Sequence, residues 1–408
     1  MNQVKQFNIS KKNDSTARQY YLDWIRVITI VCVFFFHCGR FFDSEDWSVK
    51  NGTTSATADL LIFFMVQWMM PIFFFISGAS TFFALKSKTG GKFLNDRVKR
   101  ILVPLVFGIL ILSPHQVYLE RLSHHQFTGT FIDFLPQYFS GFYGFGGNFA
   151  WMGLHLWYLL LLFIFSVIAL PLFLWWKRTS NSVEKANYNI LYLLIFVFVL
   201  ALPGFVLPLD SLLGGRPWGG WNIVEHLILF ILGYYTFSKT GFQKLLPQNR
   251  YLLLTITFLL TALNIYLFVN HIKFEFQTAG YLFKILLRSA VCFGWIFTIM
   301  GFAEKNLNYS NGLLKYGNEA VLPFYIIHQP VIILIGYFIV QWHLPIILKY
   351  ALIATISLCI VMICYQFLIK KYRILRYLFG MGITSKKTEK VALTTKKSID
   401  LKLRNMSL

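Results

Sequence analysis

The chain has 408 residues, of which 56% are hydrophobic, 18% aromatic and only 13% charged, with 38 Lys and Arg against 17 Asp and Glu. A soluble domain carries roughly a quarter charged residues, so this composition excludes an ordinary water-soluble enzyme. No charged residue falls between Ile190 and Leu209, or between Tyr251 and Asn270, and such runs match the roughly 20 residues that a helix needs to cross hydrocarbon.

Backbone facing lipid must satisfy its own hydrogen bonds, so the runs are predicted as helices; the alternation of a porin strand is absent. The fold class is therefore an all-α integral membrane protein, a bundle of about ten transmembrane helices. In chain order the spans are 21–42, 58–84, 101–118, 152–176, 190–209, 222–238, 251–270, 280–303, 319–342 and 346–370. No small-residue cleavage site follows the first run, so that run is expected to stay in the membrane. Outside the spans or at their ends, 29 Lys and Arg fall on the side holding both termini and five on the other: Lys50, Arg121, Arg216, Lys273 and Lys349. The positive-inside rule then makes both termini cytoplasmic. This divides the chain into an N-terminal cytoplasmic segment (1–20), a transmembrane domain (21–370) and a basic cytoplasmic tail (371–408). The tail from Lys386 is expected to be disordered at an anionic membrane surface. The basic balance is thus topological, and no nucleic-acid partner is expected. The longest outer loop, about 119–150, is rich in Phe, Tyr and Gly and is positioned to cover a site. The five cysteines lie in apolar runs without CxxC spacing, which suggests neither disulfide nor zinc.

In the first span Arg26 precedes His37 by eleven residues. At about 100° per residue this is three turns plus about 20°, so both share one helix face about 16 Å apart. Ionisable groups in spans usually mark functional paths, although Arg26 as a snorkelling interface residue and His37 as a packing residue fit equally well. Asp23 either orients Arg26 at i,i+3 or caps the helix.

Further stretches join this pair: Met70-Pro71-Ile72-Phe73-Phe74-Phe75-Ile76-Ser77-Gly78; Arg97-Val98-Lys99-Arg100 followed by Pro104; His155-Leu156-Trp157-Tyr158-Leu159; and Tyr325-Ile326-Ile327-His328-Gln329-Pro330. In this order, over nearly the whole chain, they resemble the acyltransferase-3 family of membrane acyltransferases. The nearest branch in character is the one that includes glucan succinyltransferases. Tyr158 stands where the family commonly has Phe.

The resemblance implies an O-acyltransferase that moves an acetyl or succinyl group from cytoplasmic acyl-CoA to a hydroxyl of an extracytoplasmic glycan or glycolipid. It would sit in the cytoplasmic (inner) membrane among membrane lipid, with acyl-CoA as a donor rather than a resident cofactor and with no metal. Arg97 and Arg100, one turn apart at the cytoplasmic mouth of the third span, would hold CoA phosphates, with Arg26 further along the path. His37 would be the general base, and His155 and His328 could approach its depth to gather three imidazoles around one cavity. A role on the acceptor side is open for Glu225 and His226. Lys284 and Arg288 are expected to snorkel toward headgroups. Trp151, Trp175, Trp176, Trp218, Trp221 and Trp342 fit an aromatic belt. A secondary transporter or flippase relaying protons through histidines is the alternative from another class, but transport requires neither the paired arginines nor the Arg26–His37 face. A haem or metal protein would need His pairs at i,i+3 or i,i+4 within a span, and none occurs.

Overall fold

The computed structural model describes residues 18–179, 190–208, 211, 213 and 218–382, with backbone only at 240 and 242–244. Residues 1–17, Arg216 and the tail expected to be disordered from Lys386 lie outside the described residues.

Among the described residues there is one isolated bridge, Phe142 to Phe149, and no strand. The helices in chain order are α1 (Tyr20–Gly39), α2 (Ala56–Val66), α3 (Met69–Ser87), α4 (Gly90–Ser123), α5 (Leu154–Ile168), α6 (Leu170–Thr179) and α7 (Tyr192–Val206). They continue with α8 (Ile223–Ser238), α9 (Thr240–Gln248), α10 (Arg250–Val269), α11 (Ala279–Asn306), α12 (Gly312–Ile339), α13 (Ile346–Ile369) and the short α14 (Arg373–Leu378).

Among the described residues seven segments are long and apolar enough to cross a membrane: α1, α2 with α3, α4, α10, α11, α12 and α13. The pair α5 and α6, bent by 47°, makes an eighth if it is one span. Helices α7 and α8 have 15 and 16 residues and fall where the fifth and sixth spans were predicted. The protein is an all-helical, multi-pass membrane protein.

Boundaries differ from the expected ones where backbone geometry is irregular. The run predicted as 58–84 breaks at Gln67–Trp68, where the Gln67 side-chain carbonyl accepts a 2.7 Å bond from buried Asn264 of α10. The run predicted as 101–118 is a 34-residue helix with two wide π turns, Val98–Leu102 and Gly108–Leu112. Arg97 and Arg100 therefore stand within α4 rather than ahead of it. Residues 371–382 of the expected tail pack on the bundle: Phe379 and Met381 are buried, and the Phe379 ring lies 5.3 Å from that of Phe107.

Small residues set the closest helix contact. A Cβ on Gly78 would lie 1.9 Å from the Phe230 carbonyl oxygen, and one on Gly233 would lie 1.9 Å from that of Phe75. The backbones of α3 and α8 touch reciprocally, as membrane helices do when dispersion must replace the hydrophobic effect. This contact holds α3, which carries Ser77 and Ser80, against the rest of the bundle.

Two sets of expectations need correction. Trp218 and Trp221 are not belt residues: both are buried, and the Trp221 ring lies 3.7 Å beneath Arg288. Trp175 and Trp342 are exposed as a belt requires. Arg288 does not snorkel, because buried Glu225 lies 2.9 Å away, and an ion pair within the bundle outcompetes the headgroup layer.

Candidate active site

The site has a basic cavity and a cluster of histidines beside it. The cavity, of about 520 Å³, opens at the end of the bundle where α1 begins. Among the described residues Arg18, Arg26, Arg97, Arg100 and Arg376 line it with two carboxylates, Asp23 and Glu319. Asp23 accepts from Arg18 at 2.7 Å and from Arg26 at 3.1 Å. It is therefore the orienting residue of the two readings, and Gln19 occupies the N-cap. Arg26 reaches on to Ser80 at 2.9 Å. Glu319 is shared by Arg376 and Lys370, each at 3.1 Å. Among the described residues Arg97 and Arg100 have no carboxylate partner: Arg97 donates to Thr81 at 2.9 Å over the Phe93 ring, and Arg100 stands exposed at the rim. Guanidinium forks not neutralised by a neighbouring carboxylate can grip a phosphate-bearing anion bidentately.

The histidines are placed by a proline. Pro330 has no N–H, so within α12 the carbonyl four residues earlier, that of Ile326, loses its helical donor. His155 Nε2 supplies that donor from the start of α5 at 3.1 Å. His328 Nδ1 bonds the Tyr325 carbonyl at 2.6 Å. A carbonyl can only accept, so these nitrogens carry the protons and the opposite nitrogens carry lone pairs. His155 Nδ1 and His328 Nε2 are indeed buried without a partner among the described residues, as is His37 Nδ1. The His328 ring lies 5.2 Å from that of His37 and 5.3 Å from that of His155, and Trp47 stacks on His37 at 6.0 Å. Among the described residues no three His, Cys, Asp or Glu side chains converge as metal ligands.

Tyr325 belongs to both parts. It lines the basic cavity, donates its hydroxyl to the His155 backbone carbonyl, and sits 5.7 Å from the His328 ring. Tyr158 also lines the cavity, with its hydroxyl 2.7 Å from Ser77 Oγ and its ring 5.9 Å from that of Tyr325. Just past His37, Arg40 and Lys50 bind the buried carboxylate of Asp43. Burial pushes that carboxyl above its usual range while the two cations pull it back.

The structure thus brings His37, His155 and His328 together in one place, and Arg26, Arg97 and Arg100 together in another. It does not bring Glu225 and His226 to either. Glu225 forms a capping box with Asn222, while His226 donates to the Trp218 carbonyl at 2.9 Å and packs 4.4 Å from the Phe74 ring. Sequence reasoning missed Arg18 and Arg376 as lining residues, since both were counted only as topological charge. It also missed Ser80 and Tyr325; for Tyr325 the signal was its place three residues before His328.

The profile of the acyltransferase domain matches residues 19–366, from the first helix through the last span. The chain belongs to the acyltransferase-3 family. It is accordingly a membrane acyltransferase that transfers groups other than amino-acyl groups. Curated relatives of this acyltransferase include glucans biosynthesis protein C of Escherichia coli O139:H28 (strain E24377A / ETEC). That protein is 21% identical over 336 residues, covering 79% of this chain and 84% of the relative. The protein of the same name from Escherichia coli strain SMS-3-5 is 22% identical over the same shares, and that of strain K12 is 21% identical.

Proposed function

We propose that this acyltransferase moves an acetyl or succinyl group from cytoplasmic acyl-CoA to a hydroxyl of an extracytoplasmic glycan or glycolipid, from a seat in the cytoplasmic (inner) membrane. The observation that carries the reading is the adjacency of two unlike parts, a basic cavity and a set of three imidazoles, with Tyr325 belonging to both. The name of the relatives, glucans biosynthesis protein C, supports a glycan acceptor.

In this reading 21–370 is the transmembrane domain, and α7 and α8 cross as well, giving ten spans. The side rich in Lys and Arg is cytoplasmic, as are both termini. Arg97, Arg100 and Arg26 hold the CoA phosphates. His37 takes the proton from the acceptor hydroxyl. The oxygen attacks the thioester carbonyl, the C–S bond breaks, and CoA leaves as the thiol once its sulfur gains a proton. His155 and His328 act beside His37, their lone-pair nitrogens fixed by the Ile326 and Tyr325 carbonyls.

The test is mass spectrometry of surface glycans from cells carrying the wild type or His37→Ala at matched membrane levels. A mass increment of one acetyl or one succinyl with the wild type, lost in the variant, is expected. Equal modification by both would remove His37 from the chemistry, and no increment with either would overturn the glycan acceptor.

A further inference from the structure

The loop between α4 and α5 does more than connect. Residues 126–150 contain seven Phe, two Tyr and a single charged group, Asp133. Phe139, Phe142 and Phe145 are 63%, 60% and 63% exposed. Three protruding phenylalanines on one short loop form an apolar patch of the kind that needs a partner.

The depth of the loop comes from its contacts with α4. Arg100 and Glu120 are the last charged groups at either end of the apolar stretch of that helix. Twenty residues at 1.5 Å each separate them, about 30 Å, which is the hydrocarbon thickness. Glu120 and Arg121 therefore mark one membrane boundary, and from that level the loop folds back along α4 toward Ile109. Its upper end is held there, with Tyr143 donating to Glu120 at 2.9 Å and Arg121 donating to the Gly147 carbonyl at 3.0 Å. Its lower end reaches the Ile109 carbonyl, which accepts a 2.7 Å bond from the Tyr138 hydroxyl. That carbonyl is free because it lies at the Gly108–Leu112 π turn, five residues before Pro114, which has no N–H to give. Eleven residue steps separate Ile109 from Glu120, about 16 Å of helix. On that same stretch of α4, Leu110 and Ile111 are exposed, as is Val106 one turn further in, and these face lipid.

Irregular backbone is tolerated at this depth only where its polar groups are satisfied internally. Many of them pair within the loop: Tyr143 N–H donates to the Phe149 carbonyl, Phe149 N–H to Gly141 and Asn148 N–H to Ser140, each at 2.9 Å. Side chains take further carbonyls, with Asn148 on Gln137 and Trp151 on Tyr143, each at 3.1 Å. Gly141 permits the tight return, with φ +66° and Gly147 packed directly on its backbone.

We infer that residues 138–149 form a membrane-inserted wedge whose Phe139, Phe142 and Phe145 side chains lie among the acyl chains of the lipid leaflet on the Glu120 side. The wedge extends the lipid-facing surface of α4 and is held rigidly, so it seats that end of the bundle at a fixed depth. It adds a lipid contact from a segment that hydropathy places in the water.

The test uses the full-length chain in single-copy nanodiscs of phosphatidylcholine and phosphatidylglycerol. Phe142→Cys and Thr54→Cys are treated with a membrane-impermeant maleimide, with wild-type labelling subtracted. Thr54 is exposed in the loop after α1. Phe142→Cys is expected to react at least about ten-fold more slowly, and equally fast once denatured, because lipid shields it. Protein atoms alone leave this site mostly open, so equal rates in nanodiscs would put the loop in water and overturn the wedge. Should Phe142→Cys misfold, p-benzoylphenylalanine at 142 keeps the aromatic ring. A phospholipid adduct on irradiation is expected, and an adduct only to protein would mean that a protein partner covers the patch instead.

Discussion

Arg288 carries a full charge into the bundle and finds three partners there: the Glu225 carboxylate at 2.9 Å, the Gly220 carbonyl at 2.8 Å and the face of Trp221. Removing one member of a buried ion pair strands the other, at a cost of roughly 3–5 kcal/mol. Arg288→Met should therefore lower the melting temperature of the purified protein in detergent, and adding Glu225→Gln should restore most of it. A double variant no better than the single would mean that the Trp221 stacking, not the pair, carries the effect. Each residue was visible in the sequence as an ionisable group in an apolar run. Their pairing was not, because 63 positions separate them and only the tertiary fold brings the start of α8 to Arg288 of α11. The same holds for Asp23, whose two readings the sequence left open and whose bonds to Arg18 and Arg26 decide the matter.

At the scale of the element, two prolines act alike. Pro330 in α12 frees the Ile326 carbonyl for His155, and Pro114 in α4 frees the Ile109 carbonyl for Tyr138. Each missing helical bond becomes a docking point for a side chain from elsewhere in the chain. Pro330→Ala would return an N–H to α12, and that donor would compete with His155 for Ile326. Acyl transfer should then fall by about 100-fold, the scale that roughly 1 Å of misplacement costs, while the melting temperature stays level or rises as the helix regains its bond. A loss of activity accompanied by a lower melting temperature would point to general damage instead. The Tyr325–Pro330 stretch was legible as a motif, and His328 was legible as deep in a span. The reason that the proline belongs there was not, since it lies in a carbonyl on one helix and an imidazole on another.

For the whole molecule, the basic cavity draws on α1, α3, α4, α5, α12, α14 and the short stretch after α14. Charge-assisted hydrogen bonds contribute roughly 1.5–3 kcal/mol each, so losing two weakens binding by about 100-fold or more. Arg97→Ala combined with Arg100→Ala should show this by calorimetric titration of acyl-CoA into the purified protein. Unchanged affinity would return both residues to a topological role.

The sequence by itself determined the membrane class, the helical character of every span and the residues with chemistry to offer. Composition and the backbone's need for internal hydrogen bonds in lipid leave no other solution. Only the tertiary structure decided which of those residues meet. It put His37, His155 and His328 within ring contact, and it gathered five arginines around one cavity, one of them read as tail. It also moved Arg288, Trp218 and Trp221 from the membrane boundary into the bundle. Depth along a helix can be counted from sequence, but the direction that each face takes is set by neighbours that close packing alone supplies.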